Sequence, residues 1–225
     1  MKIKNLGHWV TDYLYALHKH SLVFVYRKPP AHYLGYSVEG KKPIVIIPGV
    51  LEKWHFMKVI ADPLSRLGHP VYILPHLGYN TESVDRTTRT VRELIDERKL
   101  ENVIIIAHSK GGLIGKYLLQ YHNSDNKVEK VIAIASPFGG SDIVKFLPSE
   151  VLKELSPQSK VITDLSKKTE VNSKIISIFG KFDNHVWPNE SCHLEGAKNI
   201  QVNAYGHHKI LESSEVREAI NSEVR

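Results

Sequence analysis

Val103-Ile104-Ile105-Ile106-Ala107-His108-Ser109-Lys110-Gly111-Gly112-Leu113 decides how this chain folds. The five apolar residues from Val103 to Ala107 predict a strand buried on both faces, as in a parallel sheet. The chain then turns at Ser109 and continues as a helix from Leu113 to Tyr121. So abrupt a passage from strand to helix requires small residues two before and two after the apex, and Ala107 and Gly111 stand there. The serine backbone is strained in such a turn, its hydroxyl is lifted clear of the sheet, and the positive end of the helix points at it. A phosphate-binding loop does not fit, because Lys110 follows the serine directly and the glycine-lysine-serine/threonine order is missing.

Outward from this turn, apolar runs alternate with amphipathic stretches. Ile44 to Ile47 reads as a buried strand ending at Pro48-Gly49, Lys53 to Leu67 as a helix closed by Gly68, and Val71 to Leu74 as a strand. Glu82 to Lys99 carries Val84, Val91, Leu94 and Ile95 on one face and charges on the other, the pattern of a surface helix. Val131 to Ala135, Ile175 to Phe179 and Ile200 to Val202 supply three more strands, and Ser213 to Val224 a closing helix. The alternation predicts an α/β fold with a mostly parallel sheet of about six strands flanked by helices, function lying at the carboxyl ends of the strands. No repeat or long linker divides residues 1–225, so a single domain is expected, with an N-terminal helical extension over 1–40 and a short lid over 142–173.

Ala107-His108-Ser109-Lys110-Gly111-Gly112 resembles the nucleophile elbow of α/β-hydrolase lipases and esterases, notably small bacterial ones in which alanine replaces the first glycine. The resemblance runs from about Pro43 to the C-terminus and leaves out roughly the first forty residues. It implies a serine hydrolase acting on carboxylic esters, Ser109 being the nucleophile of a Ser-His-Asp triad that passes through an acyl-enzyme. Oxyanion donors are then expected from the amide of Lys110 and from the loop Pro48-Gly49-Val50-Leu51, with Val50 first and Leu51 second. Related lipases usually begin this loop with His-Gly, where Pro48 stands here.

In this fold the residues follow in the order serine, acid, histidine. Ile175 to Pro188 reads strand, turn, Asp183, then Val186 and Pro188, and resembles the family's acid loop; Asp164 and Glu170 lie before the strand and suit the role less well. Gly206-His207-His208-Lys209-Ile210-Leu211 resembles the segment carrying the base, with His207 in the usual register and His208 the alternative. Ala135-Ser136-Pro137-Phe138-Gly139-Gly140-Ser141 resembles a segment of lipases and of enzymes that remove acyl chains from lipids. After it, Val144, Phe146, Leu147, Val151, Leu152 and Leu155 suit either a small apolar flap over the serine or a helix packed on the sheet edge. With no large cap, a fairly open site is expected, and Trp54, Phe138 and Trp187 are the candidate walls of an acyl pocket. Thioesterase, amidase or acyltransferase chemistry would use the same triad, and a non-catalytic hydrolase-like binder would lack it.

No cofactor is expected and no metal is required: His185, Asp183, Cys192 and His193 are close in sequence, but neither His-Glu-x-x-His nor paired-cysteine spacing is present. The net charge of +6 is spread over dispersed lysines, so a solvated basic surface, and no nucleic-acid partner, is expected. The single Cys192 excludes an intramolecular disulfide and fits a reducing compartment. No apolar run is long enough to span a membrane, and Gly7-His8 and Asp12 interrupt what would be a signal peptide, so the cytoplasm is the expected location. Trp9, Val10, Tyr13, Leu14 and Leu17 recur at helical spacing, which suits a helix packed on the domain or one lying at a membrane surface.

Overall fold

Six strands, β1 (Ile44–Ile47), β2 (Val71–Ile73), β3 (Val103–His108), β4 (Val128–Ile134), β5 (Ile175–Phe182) and β6 (Lys198–Tyr205), form one sheet in the order β2-β1-β3-β4-β5-β6. Every neighbouring pair is parallel. The structure, a computed structural model, describes residues 5–146 and 149–224. Among the described residues, seven α-helices accompany the sheet: α1 (Leu6–Ser21), α2 (His32–Gly35), α3 (Lys58–Arg66), α4 (Val84–Glu97), α5 (Lys110–Tyr121), α6 (Lys160–Lys167) and α7 (Ser214–Glu223).

The apolar runs are continuous because both faces of the central strands are covered. Ile44, Ile46, Ile104, Ile106, Ile132 and Ile134 face one layer, with Ile60 and Leu64 of α3 and Val216 and Ile220 of α7. The alternate residues Val45, Ile47, Ile105, Ala107, Val131 and Ala133 face the other, with Val91 of α4, Leu113 and Leu118 of α5 and Leu165 of α6. β6 is longer than expected because it is an edge strand: Val202 and Ala204 point inward while Gln201 and Asn203 are exposed, and the alternation shortens its apolar run. The stretch expected as one helix from Lys53 begins as a 3₁₀ turn, Trp54–Met57, that buries all four of its side chains before α3 starts.

The chain runs from β1 to β2 on one side and returns to β3 on the other. The strand order therefore switches direction between β1 and β3, which opens a crevice at their carboxyl ends. Gly49-Val50 leaves β1 there, and Ser109 leaves β3.

Candidate active site

Ser109 has φ 52° and ψ −122°, a conformation that costs a non-glycine residue about 1–3 kcal/mol. Packing on both sides holds it. The Ser109 amide donates to the Ile134 carbonyl at 2.8 Å, and α5 lies so close to β1 that a Cβ on Gly111 would stand 2.5 Å from the Ile47 carbonyl oxygen. Ser109 occupies the N-cap position of α5, but its side chain makes no cap bond. Its Oγ lies instead 2.9 Å from His207 Nε2.

His207 Nδ1 is 2.8 Å from Asp183 Oδ2. A carboxylate accepts, so the proton sits on Nδ1 and Nε2 is left to accept from the serine hydroxyl. Asp183 Oδ1 takes the amides of His185 (2.7 Å) and Val186 (2.9 Å). Burial alone would push the Asp183 carboxyl up, but the His207 ring and these donors outweigh it and hold the carboxyl below its usual range. His208 is engaged elsewhere: its Nδ1 is 2.9 Å from Asp12 Oδ2. The structure thus brings Ser109, His207 and Asp183 together and turns His208 away.

At the end of β1, the Leu51 amide donates to the Tyr79 carbonyl at 2.7 Å and the Gly49 amide to Glu52 Oε2 at 2.8 Å. Both are spent, which leaves Val50 as the donor this loop can offer. The Lys110 amide is in the first turn of α5, where no intrahelical acceptor exists. The Lys110 side chain points away, buried, and donates to the carbonyls of Asn80 (3.2 Å) and Glu82.

A cavity of about 340 Å³ opens beside Ser109, lined mainly by apolar atoms. Val144, Leu152 and Leu155 of the expected flap line it; Phe146 is exposed, and Leu147 lies outside the described residues. The three aromatic wall candidates lie elsewhere. Trp54 is buried in the core against Tyr33, Phe138 is buried in the opposite core layer, and Trp187 packs edge-on against Trp9. Short loops bring aliphatic side chains to the serine first and leave the large rings as packing. The expectation of an open site is also corrected. Tyr13, Ala16, Leu17 and His20 of α1 close over the cavity, and Ser109 is only 5% exposed.

α1 is seated through its polar stripe. Asp12 is fully buried and accepts four donors, the His208 amide (2.8 Å), the Lys209 amide (2.8 Å), His208 Nδ1 (2.9 Å) and Asn184 Nδ2 (3.1 Å). Burial opposes ionisation, but His208 and the backbone donors hold the carboxyl well below the usual range. The helically spaced Val10, Leu14 and Leu17, together with Leu6, are each more than half exposed. The face expected to pack is therefore largely the one that remains outside. Among the described residues, Asp12, His185 and His208 lie within 4.8 Å of one another at their ligating atoms. The four donors fill the four acceptor positions of Asp12, so this cluster is closed by hydrogen bonds rather than open to a cation. Nor does the cluster include Cys192 or His193.

Sequence reasoning missed Asp12, Glu52 and His185. The only signal for Asp12 is an acid set within an apolar helical stretch. Glu52 carries none, and His185, weighed only as a metal ligand, offers just its place two residues after Asp183. His185 stacks on His207 with ring centroids 4.8 Å apart and planes 7° from parallel. Burial first, then the neighbouring His207 and His208, push its imidazole down to about 3, which keeps it neutral.

Residues 42–162, more than half of the chain, match the family model of the alpha/beta hydrolase fold. The chain belongs to this family. Similar solved structures include the mature lipase BlEst2 of Bacillus licheniformis, 15% identical with a TM-score of 0.68, covering 88% of this chain and 96% of that one. The monoacylglycerol lipase of Paleococcus ferrophilus is 16% identical with a TM-score of 0.61, over 82% of this chain and 95% of the other. MGS-MChE2, an alpha/beta hydrolase from a lagoon-sediment metagenome in Morocco, is 21% identical with a TM-score of 0.61, over 81% and 90%. No helix among the described residues is long and apolar enough to cross a membrane.

Proposed function

We propose that the protein hydrolyses carboxylic esters. The observation that carries this reading is the continuous relay from Asp183 through His207 to Ser109, at 2.8 and 2.9 Å, with the serine at the foot of an apolar cavity. His207 takes the Ser109 proton as Oγ attacks the ester carbonyl, and the amides of Val50 and Lys110 receive the developing oxyanion. His207 then gives the proton to the leaving alcohol. Water, deprotonated by the same ring, cleaves the acyl-enzyme, and the proton returns to Ser109. Asp183 holds the tautomer throughout and stabilises the imidazolium.

The aliphatic lining, with Val144, Leu152 and Leu155, favours an acyl chain over a polar acyl group. The exposed Leu6, Val10, Leu14 and Leu17 of α1, the last of which also lines the cavity, favour a lipid presented at a surface, with peripheral contact through α1. A fluorophosphonate probe should label the wild type and not Ser109→Ala, and p-nitrophenyl esters should turn over. Equal labelling of both proteins rejects the nucleophile. Turnover of acyl-CoA or amides with inert esters rejects the substrate class. Flotation with liposomes that is unchanged when residues 1–40 are removed rejects the surface contact.

A further inference from the structure

His108 precedes the nucleophile on β3 and is completely buried, yet neither of its ring nitrogens faces an apolar group. Nδ1 lies 2.8 Å from Glu52 Oε1 and 2.9 Å from Oε2, and Nε2 lies 2.9 Å from the backbone carbonyl oxygen of His207. Carboxylates and carbonyls only accept, so beside an ionised Glu52 both nitrogens donate and the ring is an imidazolium. Glu52 is only 1% exposed and also accepts the Gly49 amide at 2.8 Å. One charged pair therefore ties together the loop carrying Val50, the strand carrying Ser109 and the turn carrying the base.

The groups facing this pair are the His207 ring, 4.8 Å from that of His108, the His208 ring at 6.1 Å, His208 Nε2, 3.7 Å from Glu52 Oε1, and, from α1, Tyr15 and His20, which feel the Glu52 charge. Asp183 acts from farther off. Burial would strip the proton from His108, but the Glu52 carboxylate, its hydrogen bond and the His207 carbonyl outweigh it and raise the imidazole. Burial likewise opposes the Glu52 charge, and His108 above all holds that carboxyl low. A buried ion pair adds little net stability compared with an apolar pair of the same size, so stability does not account for its presence.

We propose that Glu52 and His108 form a permanently charged positioning pair that holds the Val50 amide and the His207 imidazole in register around Ser109. The proposal rests on the ester-hydrolase reading of that serine.

Nitrogen-15 NMR of the His108 ring in Ser109→Ala protein at pH 8 should show two protonated nitrogens, and one in the same protein carrying Glu52→Gln. A neutral ring at pH 8 without that substitution overturns the pair. In the otherwise native enzyme, Glu52→Gln should lower kcat on a p-nitrophenyl ester on the order of 10²-fold, with KM changed less than about twofold. Native kcat with only a lowered melting temperature is what a merely structural pair would give, and it overturns the positioning role. Should Glu52→Gln fail to fold, Glu52→Gln/His108→Gln buries no charge and is judged by the same kcat criterion. A wild type that the fluorophosphonate does not label rejects the hydrolase reading and the positioning role with it. A labelled wild type with unaffected variants rejects the positioning role alone.

Discussion

Ser109 and Gly111 divide the work of one turn: the serine bears the strained backbone, and the glycine lets α5 approach β1 closely enough to impose it. His185 shows the same kind of constraint in its titration. Held neutral at about 3 in the folded chain, it takes up a proton on unfolding wherever the pH lies below its ordinary value of 6.5. Its contribution to stability is thus complete above pH 6.5 and drains away as the pH falls toward 3. His185→Phe keeps a ring stacked on His207 and removes this proton. Its melting temperature should fall less steeply than that of the wild type between about pH 6.5 and pH 5, as followed by calorimetry. Parallel slopes would show that His185 does not stay neutral.

At the scale of elements, α1 departs most from what its residues suggest. An amphipathic helix ordinarily buries its apolar stripe, yet this one docks through Asp12 and leaves Leu14 and Leu17 largely outside. Four donors on one carboxylate explain the choice, since they would otherwise be buried without acceptors. The seat is narrow: Gly206 has φ 103°, and a Cβ there would stand 2.6 Å from Asp12 Oδ1. Asp12→Ala should therefore cost about 3 kcal/mol or more, because it leaves several buried donors without an acceptor. It should also speed amide exchange at His208 and Lys209. Denaturant unfolding with hydrogen exchange measures both, and a loss under about 1 kcal/mol would mean that α1 is held by other contacts.

For the whole molecule, the sheet separates two large apolar layers, one on each face of its central strands. Ile105 and Ile106 are neighbours in β3 and lie in different layers, both without exposure. Ile105→Ala and Ile106→Ala should each cost about 2–5 kcal/mol and leave a single cooperative transition, because either layer lost unseats the strand that both share. Two separated transitions in urea would show that the layers unfold independently. The relay hangs from this sheet: β3 delivers Ser109, the loop after β5 delivers Asp183 and the turn after β6 delivers His207.

The sequence alone determined the alternation of strands and helices, the turn at Ser109 and the neighbourhoods of Asp183 and His207, while the order of the strands in the sheet came from the fold. Burial on two faces writes a continuous apolar run, a tight turn demands small residues at fixed offsets, and both signals lie within a few neighbours along the chain. Only the tertiary structure set His207, and not His208, beside Ser109, lined the cavity with α1, moved Trp54, Phe138 and Trp187 out of its walls and paired Glu52 with His108. Those outcomes depend on contacts such as Asp12 with His208, 196 residues apart. No local pattern encodes a hydrogen bond across such a distance, because its partners become neighbours only after the sheet has set their positions.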